Sequence, residues 1–299
     1  MLFSNKKIIT VASGKGGVGK SILATNIAAG LALMNKKVII ADADFGGANL
    51  HALLNVLPHG EGIKKLVSTS AIPGKNGSVQ ETPIPNLSLI HGWDYLGVHG
   101  LNKEQFAKMN SYIEGLEADY VLLDLSPGIA NYTLDLFNQS DIGIVVFTPE
   151  ITSILNALVF IKFTLLKKMI KHATHNKDVV DLITAAVSPS DPMTITEILD
   201  LTKRIDPNIW RFFNGYLKKF RPAVIINRVE EQDDMNVEKE FHQYLERNYF
   251  IKPHILGWMK ESTLIKDSVH KRVPIIIGDP SSDPAGCVKV ILHKLLHSF

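Results

Sequence analysis

The sequence predicts an α/β protein built on a doubly wound, mostly parallel β-sheet. Short runs of β-branched, apolar residues alternate along the chain with longer segments that have helical spacing. Several of these short runs are apolar at nearly every position, which is typical of parallel strands covered by helices on both faces. The length of 299 residues allows either one large α/β domain or two domains of about 150 residues each.

Each strand is predicted from a short apolar run and each helix from a longer amphipathic segment. In chain order, the expected strands cover residues 7–12, 37–41, 87–90, 120–123, 142–147, 223–227, 254–257 and 273–277. The expected helices cover residues 20–34, 103–116, 130–137, 152–172, 193–205, 237–249, 262–270 and 284–297. Residues 71–86 carry three prolines and two glycines and are expected to form a loop.

A mainly helical insertion is expected between the strands 142–147 and 223–227. Residues 151–221 are too many for a single crossover helix, and they contain eleven Lys and Arg residues against six Asp and Glu residues. This basic segment fits a surface that holds DNA phosphates, anionic lipid or an acidic protein. It also fits a solvated helical face with no partner.

Composition narrows the class of protein. The 32 Lys and Arg residues nearly balance the 30 Asp and Glu residues, which argues against a generally basic nucleic-acid binder. Cys287 is the only cysteine, so one chain has no intramolecular disulfide, no CxxC pair and no four-cysteine metal site. No apolar run approaches the roughly 20 residues that span a bilayer. We therefore expect a cytoplasmic protein.

The strongest motif follows the first strand. The segment after residue 12 satisfies the pattern GxxxxGK[ST] between a strand and a helix, where such a loop binds phosphate. Its residues are Gly14, Lys15, Gly16, Gly17, Val18, Gly19, Lys20 and Ser21. The glycines allow backbone N–H groups to turn towards phosphate oxygens. Lys20 would neutralise the β- and γ-phosphates and Ser21 would ligate Mg²⁺, so we expect ATP and Mg²⁺ as cofactors.

A dinucleotide site is the alternative for the same residues. Gly14, Gly16 and Gly19 also satisfy GxGxxG, and an acid at position 42 or 44 follows at roughly the distance of a ribose-binding carboxylate. A dinucleotide turn needs neither an ammonium nor a hydroxyl after the last glycine, whereas a triphosphate with its metal needs both. Lys20 and Ser21 therefore favour the triphosphate.

Lys15 inside the loop gives it a resemblance to the deviant Walker A motif of the MinD/ParA ATPases, which are P-loop NTPases of the SIMIBI type. The resemblance continues along nearly the whole chain. Residues 42–50, Asp-Ala-Asp-Phe-Gly-Gly-Ala-Asn-Leu, resemble the switch I segment of MinD and of the flagellar-number regulator FlhG. Residues 124–128, Asp-Leu-Ser-Pro-Gly, resemble switch II, although Ser126 and Pro127 stand where the family usually has Gly-Ala or Pro-Ala. The resemblance implies one P-loop ATPase domain over residues 1–299, with 151–221 as its insertion.

The resemblance also implies roles for single residues. Asp44 would orient the attacking water, and Asp42 and Asp124 would hold Mg²⁺ through its coordination shell. Lys15 would reach the nucleotide of a partner subunit. Asn227, followed by Arg228, matches the strand end whose amide recognises adenine. These roles agree with the expected position of the carboxylates, because the ends of parallel strands meet at the edge of the sheet beside the phosphate loop.

The function implied is an ATP-dependent homodimeric switch with a protein partner, which positions or regulates a cellular structure such as the flagellum. Two alternatives are a ParA-like partition ATPase that binds DNA nonspecifically and a nucleotide-binding scaffold without turnover. Iron–sulfur carriers share the loop, but their paired cysteines are absent from this sequence.

The last predicted helix has two interpretations. Its apolar residues follow helical spacing and form one stripe. They are Val288, Ile291, Leu292, Leu295, Leu296 and Phe299. This stripe suits a helix that covers the sheet, and it also suits an amphipathic helix that docks peripherally on a membrane surface.

Overall fold

A computed structural model describes residues 6–60, 62–63, 78–92, 102–187, 193–230 and 235–299. Within these residues the chain forms one eight-stranded sheet. The strands are β1 (Lys7–Ala12), β2 (Val38–Ala43), β3 (Gln80–Glu81), β4 (Leu87–Ile90), β5 (Tyr120–Leu125), β6 (Ile142–Phe147), β7 (Ala223–Val229) and β8 (His254–Lys260).

The strand order is β3-β4-β2-β5-β1-β6-β7-β8. Neighbouring strands are parallel except for β3 and β4, which are antiparallel. The expected doubly wound, mostly parallel α/β fold is therefore confirmed. Because β1 lies in the middle between β5 and β6, its carboxyl end meets those of β2 and β5 at one edge, where ligands of such sheets bind.

Twelve helices occur in the described residues. They are α1 (Lys20–Leu33), α2 (Leu50–Leu53), α3 (Lys103–Glu114), α4 (Asn131–Gln139), α5 (Ile151–His172), α6 (Lys177–Ala185), α7 (Ile195–Ile205), α8 (Pro207–Lys219), α9 (Met235–Asn248), α10 (Thr263–Lys271), α11 (Ile275–Gly278) and α12 (Asp283–Ser298). None of them is long and apolar enough to cross a bilayer.

The two faces of the sheet form two separate apolar clusters. One face is covered by α1, α2, α11 and α12, and the other by α3 to α9. Four helices, α5 to α8, lie between β6 and β7 in the segment 151–221 that was expected to be mainly helical. Parallel strands that are buried on both faces explain why the strand runs in the sequence lack alternation.

The predicted strand at 273–277 is wrong. Residues from Ile275 onward form the short helix α11, whose N-cap is Pro274. Ile275 and Ile276 are buried, and the Ile276 N–H donates to Asn26 Oδ1 of α1 at 3.2 Å. This run therefore buries its apolar side chains against α1 and does not pair with β8.

The segment 71–86, predicted to be a loop, contains the short strand β3 in the structure. Its residues 71–77 lie outside the described part of the chain.

The apolar stripe of α12 faces the sheet. Val288, Ile291, Leu292 and Leu295 are all buried in the same cluster as α1. The approach to α1 is close, because a Cβ added at Gly30 would overlap the Leu292 side chain. These contacts favour core packing over membrane docking for this helix, since the same side chains are not available to lipid.

Leu292→Ala should lower the free energy of unfolding by about 2–5 kcal/mol, the range for buried Leu truncations. Val290→Ala is the matched control on the same helix, because Val290 is 52% exposed and should cost about 0.5 kcal/mol or less. Urea unfolding followed by circular dichroism measures both. Equal stability of Leu292→Ala and wild type, together with lost sedimentation on anionic vesicles, would favour the membrane interpretation.

Candidate functional site

The glycine-rich loop connects β1 to α1 and leaves the start of the helix open. Gly17 and Gly19 have φ angles of 80° and 86°, a left-handed region that favours glycine. Gly19 is the N-cap of α1, and no side chain caps the helix. The first backbone N–H groups of α1 therefore remain available, which is the arrangement that binds phosphate.

Lys20 forms a buried ion pair at the base of this loop. Its Nζ lies 2.6 Å from Asp124 Oδ1, at the end of β5, and both side chains are buried. Burial raises the pKa of Asp124, and the ammonium of Lys20 opposes that increase. Asp124 Oδ2 is buried without a hydrogen-bond partner among the described residues. One carboxylate oxygen thus remains unsatisfied beside the phosphate loop.

Asp42 shapes the segment that follows β2. Its Oδ2 accepts hydrogen bonds from the N–H groups of Asn49 and Leu50 at 2.8 and 2.9 Å, and its Oδ1 accepts from the Asp44 N–H at 3.2 Å. Burial and, secondly, the neighbouring carboxylate of Asp124 raise the pKa of Asp42 to about 7. Both carboxylate oxygens of Asp42 thus hold the backbone of residues 44–50, and the cation role predicted for Asp42 stays a prediction.

Asp44 lies at the phosphate cavity. Together with Gly16, Lys20, Ser21 and Pro127 it lines a space of about 380 Å³ in front of α1. Its Oδ1 accepts from Ser126 Oγ at 3.0 Å and from the Gly46 N–H at 3.4 Å. The three carboxylates predicted from the sequence, Asp42, Asp44 and Asp124, therefore lie together beside the loop.

The side chain of Lys15 points away from Lys20, the other lysine of the loop. Its Nζ lies 3.3 Å from Glu150 Oε2 and 3.1 Å from Thr152 Oγ1, at the start of α5. Lys15 does not line the phosphate cavity. The structure therefore separates Lys15 from Lys20 and places Lys15 on the outer surface of the loop.

Asn227 and Arg228 lie on the other side of the loop, at the end of β7. Asn227 Nδ2 donates to the Val18 carbonyl at 2.7 Å, so this amide supports the loop. Both residues line a second cavity of about 230 Å³ together with Ile22, Met259 and Ile265. Gly19 and Arg228 line both cavities, which makes the two spaces neighbours. The amide keeps a second N–H and its Oδ1 beyond the bond to Val18, and the base contact predicted for Asn227 stays a prediction.

These observations fit a nucleoside triphosphate with a divalent cation. The open N-terminus of α1 and the ammonium of Lys20 fit phosphate oxygens, and the unsatisfied Asp124 Oδ2 fits a cation or its water. No cluster of three His, Cys, Asp or Glu side chains in the described residues forms a complete metal site. A Mg²⁺ ion here would therefore need phosphate oxygens and water as further ligands, as Mg²⁺ usually does with nucleotides.

More than half of the chain matches the model of a known protein family. Residues 4–174 match the family ParA, described as NUBPL iron-transfer P-loop NTPase. That segment is more than half of the 299 residues. The chain belongs to the ParA family. The resemblance to MinD/ParA proteins that the loop and switch segments suggested is thereby confirmed.

Named relatives of this ParA-family chain include two site-determining proteins. MinD of Synechocystis sp., a septum site-determining protein, is 33% identical over 160 residues, which are 50% of this chain and 56% of MinD. YlxH of Helicobacter pylori, a flagellum site-determining protein, is 31% identical over 191 residues, which are 62% of this chain and 59% of YlxH. The chain spans little more than half the length of these curated relatives.

A solved relative shows the same fold. MinD from Pyrococcus horikoshii, in complex with Mg-ADP, aligns with 97% of this chain and 96% of its own, with a TM-score of 0.62 and 16% identity. The likeness extends through the C-terminal half, beyond the residues that match the ParA family. The described residues of this ParA-family protein, in both halves of the chain, therefore share the fold of MinD.

Proposed function

We propose that this protein is a Mg²⁺-dependent ATPase that dimerises with ATP and separates after hydrolysis. The single observation that carries the proposal is the buried Lys20–Asp124 pair under an uncapped helix N-terminus. Lys20 would exchange its carboxylate partner for phosphate oxygens when a nucleotide binds. The carboxylate thereby released would face the cation, for which Ser21 supplies a hydroxyl ligand. Bound Mg²⁺ would offset the charge that develops on the phosphates.

The space beside the loop supports a nucleotide with its base bound. The second cavity begins at Gly19 and is lined by apolar and polar side chains of β7, β8 and α10. A purine would lie there while its phosphates occupy the cavity in front of α1. Arg228, which lines both cavities, would lie near the sugar or the phosphates. We propose ATP as the nucleotide.

The surface around Lys15 supports a nucleotide-dependent dimer. Ile151 and Leu155 at the start of α5 are 75% and 56% exposed, and Ile129 after the second switch segment is also exposed. Ile151 and Leu155 lie in the first turns of α5 beside Glu150 and Thr152, which Lys15 contacts. A second copy that covers this face would bury them, and Lys15 could leave Glu150 for the phosphates of the partner subunit.

A positioning role is the proposed cellular function, supported by the names of MinD and YlxH as site-determining proteins. The basic residues of α5 do not favour DNA near the nucleotide. Lys167 is held by Asp135 and Asn131 of α4. Lys168 and Lys171 lie at the opposite end of α5 from Ile151, about 25–30 Å away by helical rise. A DNA-binding ATPase and a scaffold without turnover therefore remain secondary candidates, and iron transfer has only Cys287 to support it.

Two variants test the switch in one experiment. Asp44→Ala should slow ATP hydrolysis by about 100-fold or more, because water positioning is lost while Lys20 and the loop still bind phosphate. This variant should accumulate an ATP-dependent dimer. Lys15→Ala should bind ATP with nearly wild-type affinity and remain monomeric, because the contact to the partner's phosphates is missing.

Light scattering of each variant in ATP and ADP, with calorimetric ATP titrations and phosphate release, gives the required data. Lys7→Ala is a control that changes one Lys at the opposite end of β1 and should dimerise as wild type does. A wild-type chain that stays monomeric in ATP would contradict the proposed dimer, and a normal dimer formed by Lys15→Ala would remove Lys15 from its interface. Wild-type turnover by Asp44→Ala would remove Asp44 from the reaction.

A further inference from the structure

A buried hydroxyl connects the two switch segments. Ser126 follows β5 and is buried, and its Oγ lies within hydrogen-bond distance of four groups. The Phe45 N–H donates to it at 3.2 Å and the Tyr132 hydroxyl lies 2.8 Å away. On the acceptor side, Asp44 Oδ1 is at 3.0 Å and the Ala43 carbonyl at 3.3 Å.

The donors and acceptors around Ser126 determine where its proton lies. A serine hydroxyl has one proton and two lone pairs. The Phe45 N–H and the Tyr132 hydroxyl fill the two lone pairs, so the proton must go to Asp44 or to Ala43. The Asp44 carboxylate is the closer and the charged acceptor, and hydrogen bonds to ionised groups are the stronger ones. Ser126 therefore donates to Asp44 Oδ1.

This donation fixes the carboxylate on one side only. Asp44 Oδ1 accepts from Ser126 and Gly46, whereas Asp44 Oδ2 accepts no hydrogen bond from the described residues. Asp44 also lines the phosphate cavity. A carboxylate held by Oδ1 has Oδ2 left for one water molecule.

We propose that Ser126 and Tyr132 form a hydroxyl relay that positions Asp44 for the attacking water. The inference rests on the proposed ATPase function and adds two positioning residues to it. Tyr132 lies in the first turn of α4, and its ring packs on Phe45 with centroids 5.1 Å apart. The relay thus links the Asp44 segment to α4, which Lys167 ties to α5.

Removal of either hydroxyl should reduce kcat and leave nucleotide binding unchanged. Ser126→Ala should lower kcat about tenfold, since Asp44 loses a charge-assisted hydrogen bond. Tyr132→Phe keeps the ring that packs on Phe45 and should lower kcat about threefold to fivefold, because it leaves Ser126 less oriented. Ser126→Thr keeps the hydroxyl and should restore kcat to within about threefold of wild type.

Thr133→Val is the matched control. Thr133 is the next residue on α4, is fully buried, and has an Oγ1 without a hydrogen-bond partner in the described part of the chain. Its hydroxyl is outside the relay, so this variant should keep wild-type kcat. ATP affinity measured by calorimetry should agree within about twofold for all variants, because none of these side chains lies in the phosphate loop.

A second readout uses the protein without nucleotide. Hydrogen–deuterium exchange at the Phe45 amide should become faster in Ser126→Ala, where this N–H loses its acceptor, and stay unchanged in Tyr132→Phe and Thr133→Val. Wild-type kcat in Ser126→Ala, or an equal loss in Thr133→Val, would overturn the relay while wild-type turnover still supports the ATPase. A wild-type chain without turnover would instead overturn the proposed function, and the relay's role with it.

Discussion

Lys20→Ala is expected to abolish ATP binding. In the free protein Lys20 contributes a buried ammonium at the point where the N-terminus of α1 opens, and phosphate oxygens would take the place of Asp124. Loss of two charge-assisted hydrogen bonds at about 1.5–3 kcal/mol each predicts an affinity loss of roughly 100-fold or more. Isothermal titration of ATP into the purified variant measures it directly.

The effect of Lys20→Ala on folding stability must be distinguished from its effect on ATP binding. Without Lys20, Asp124 stays buried and unpaired, which costs about 3–5 kcal/mol of stability when a buried pair is broken. The double variant Lys20→Ala/Asp124→Asn removes that unpaired charge and should regain most of the stability. It should still fail to bind ATP in EDTA, where Asp124 has no metal to ligate, whereas Asp124→Asn alone should bind. Wild-type affinity of the folded double variant would refute the role given to Lys20.

The fold was predictable because the strands are buried on both faces. Apolar runs such as Val38–Ala41 of β2 and Ile142–Phe147 of β6 suit a strand that helices cover on both faces. Residues 273–277 carry the same signal, yet they form α11. In a short apolar run, periodicity does not distinguish a strand from a helix. Packing against α1 buries these side chains as well as a position in the sheet would. In the structure the Ile276 N–H donates to Asn26 of α1, and the N–H groups of Ile277 and Gly278 donate to the Pro274 carbonyl, so this backbone is satisfied without a neighbouring strand.

The site was predictable where one sequence motif gives both the spacing of the residues and the chemical type of each. The phosphate loop satisfies that condition, because its residues are consecutive and each has one required property. Ser126 and Tyr132 were not predicted, since their partners come from another strand and from a neighbouring helix. The only signal was the unusual serine in the second switch segment. Likewise, the sequence did not show that the Asn227 amide holds the Val18 carbonyl across 209 positions of sequence; the base contact of Asn227 stays a prediction.

Gly14→Ala is expected to disrupt the phosphate loop through a collision with α5. A Cβ at this position would overlap the carbonyl group of Asn156 and would lie 2.9 Å from the Ala157 nitrogen. These are backbone atoms of a 22-residue helix, so no rotamer change can remove the overlap. Either α5 or the loop must move, which should cost about 3 kcal/mol or more. Because the loop is the proposed phosphate site, ATP affinity should fall by roughly 100-fold.

Gly16→Ala is the matched control for the free protein. Gly16 lies in the same loop, has no positive φ, and its Cβ would meet no atom closer than 3.9 Å, so the unfolding midpoint without nucleotide should stay near wild type. Gly14 has no positive φ either, which leaves the contact with α5 as the difference between the two positions.

Truncation of Asn156 to Ala should not rescue Gly14→Ala, since the overlap is with backbone. Wild-type thermal stability and ATP affinity of Gly14→Ala would show that the loop and α5 are not in contact. In that case nucleotide binding would have no direct route to the helices of residues 151–221.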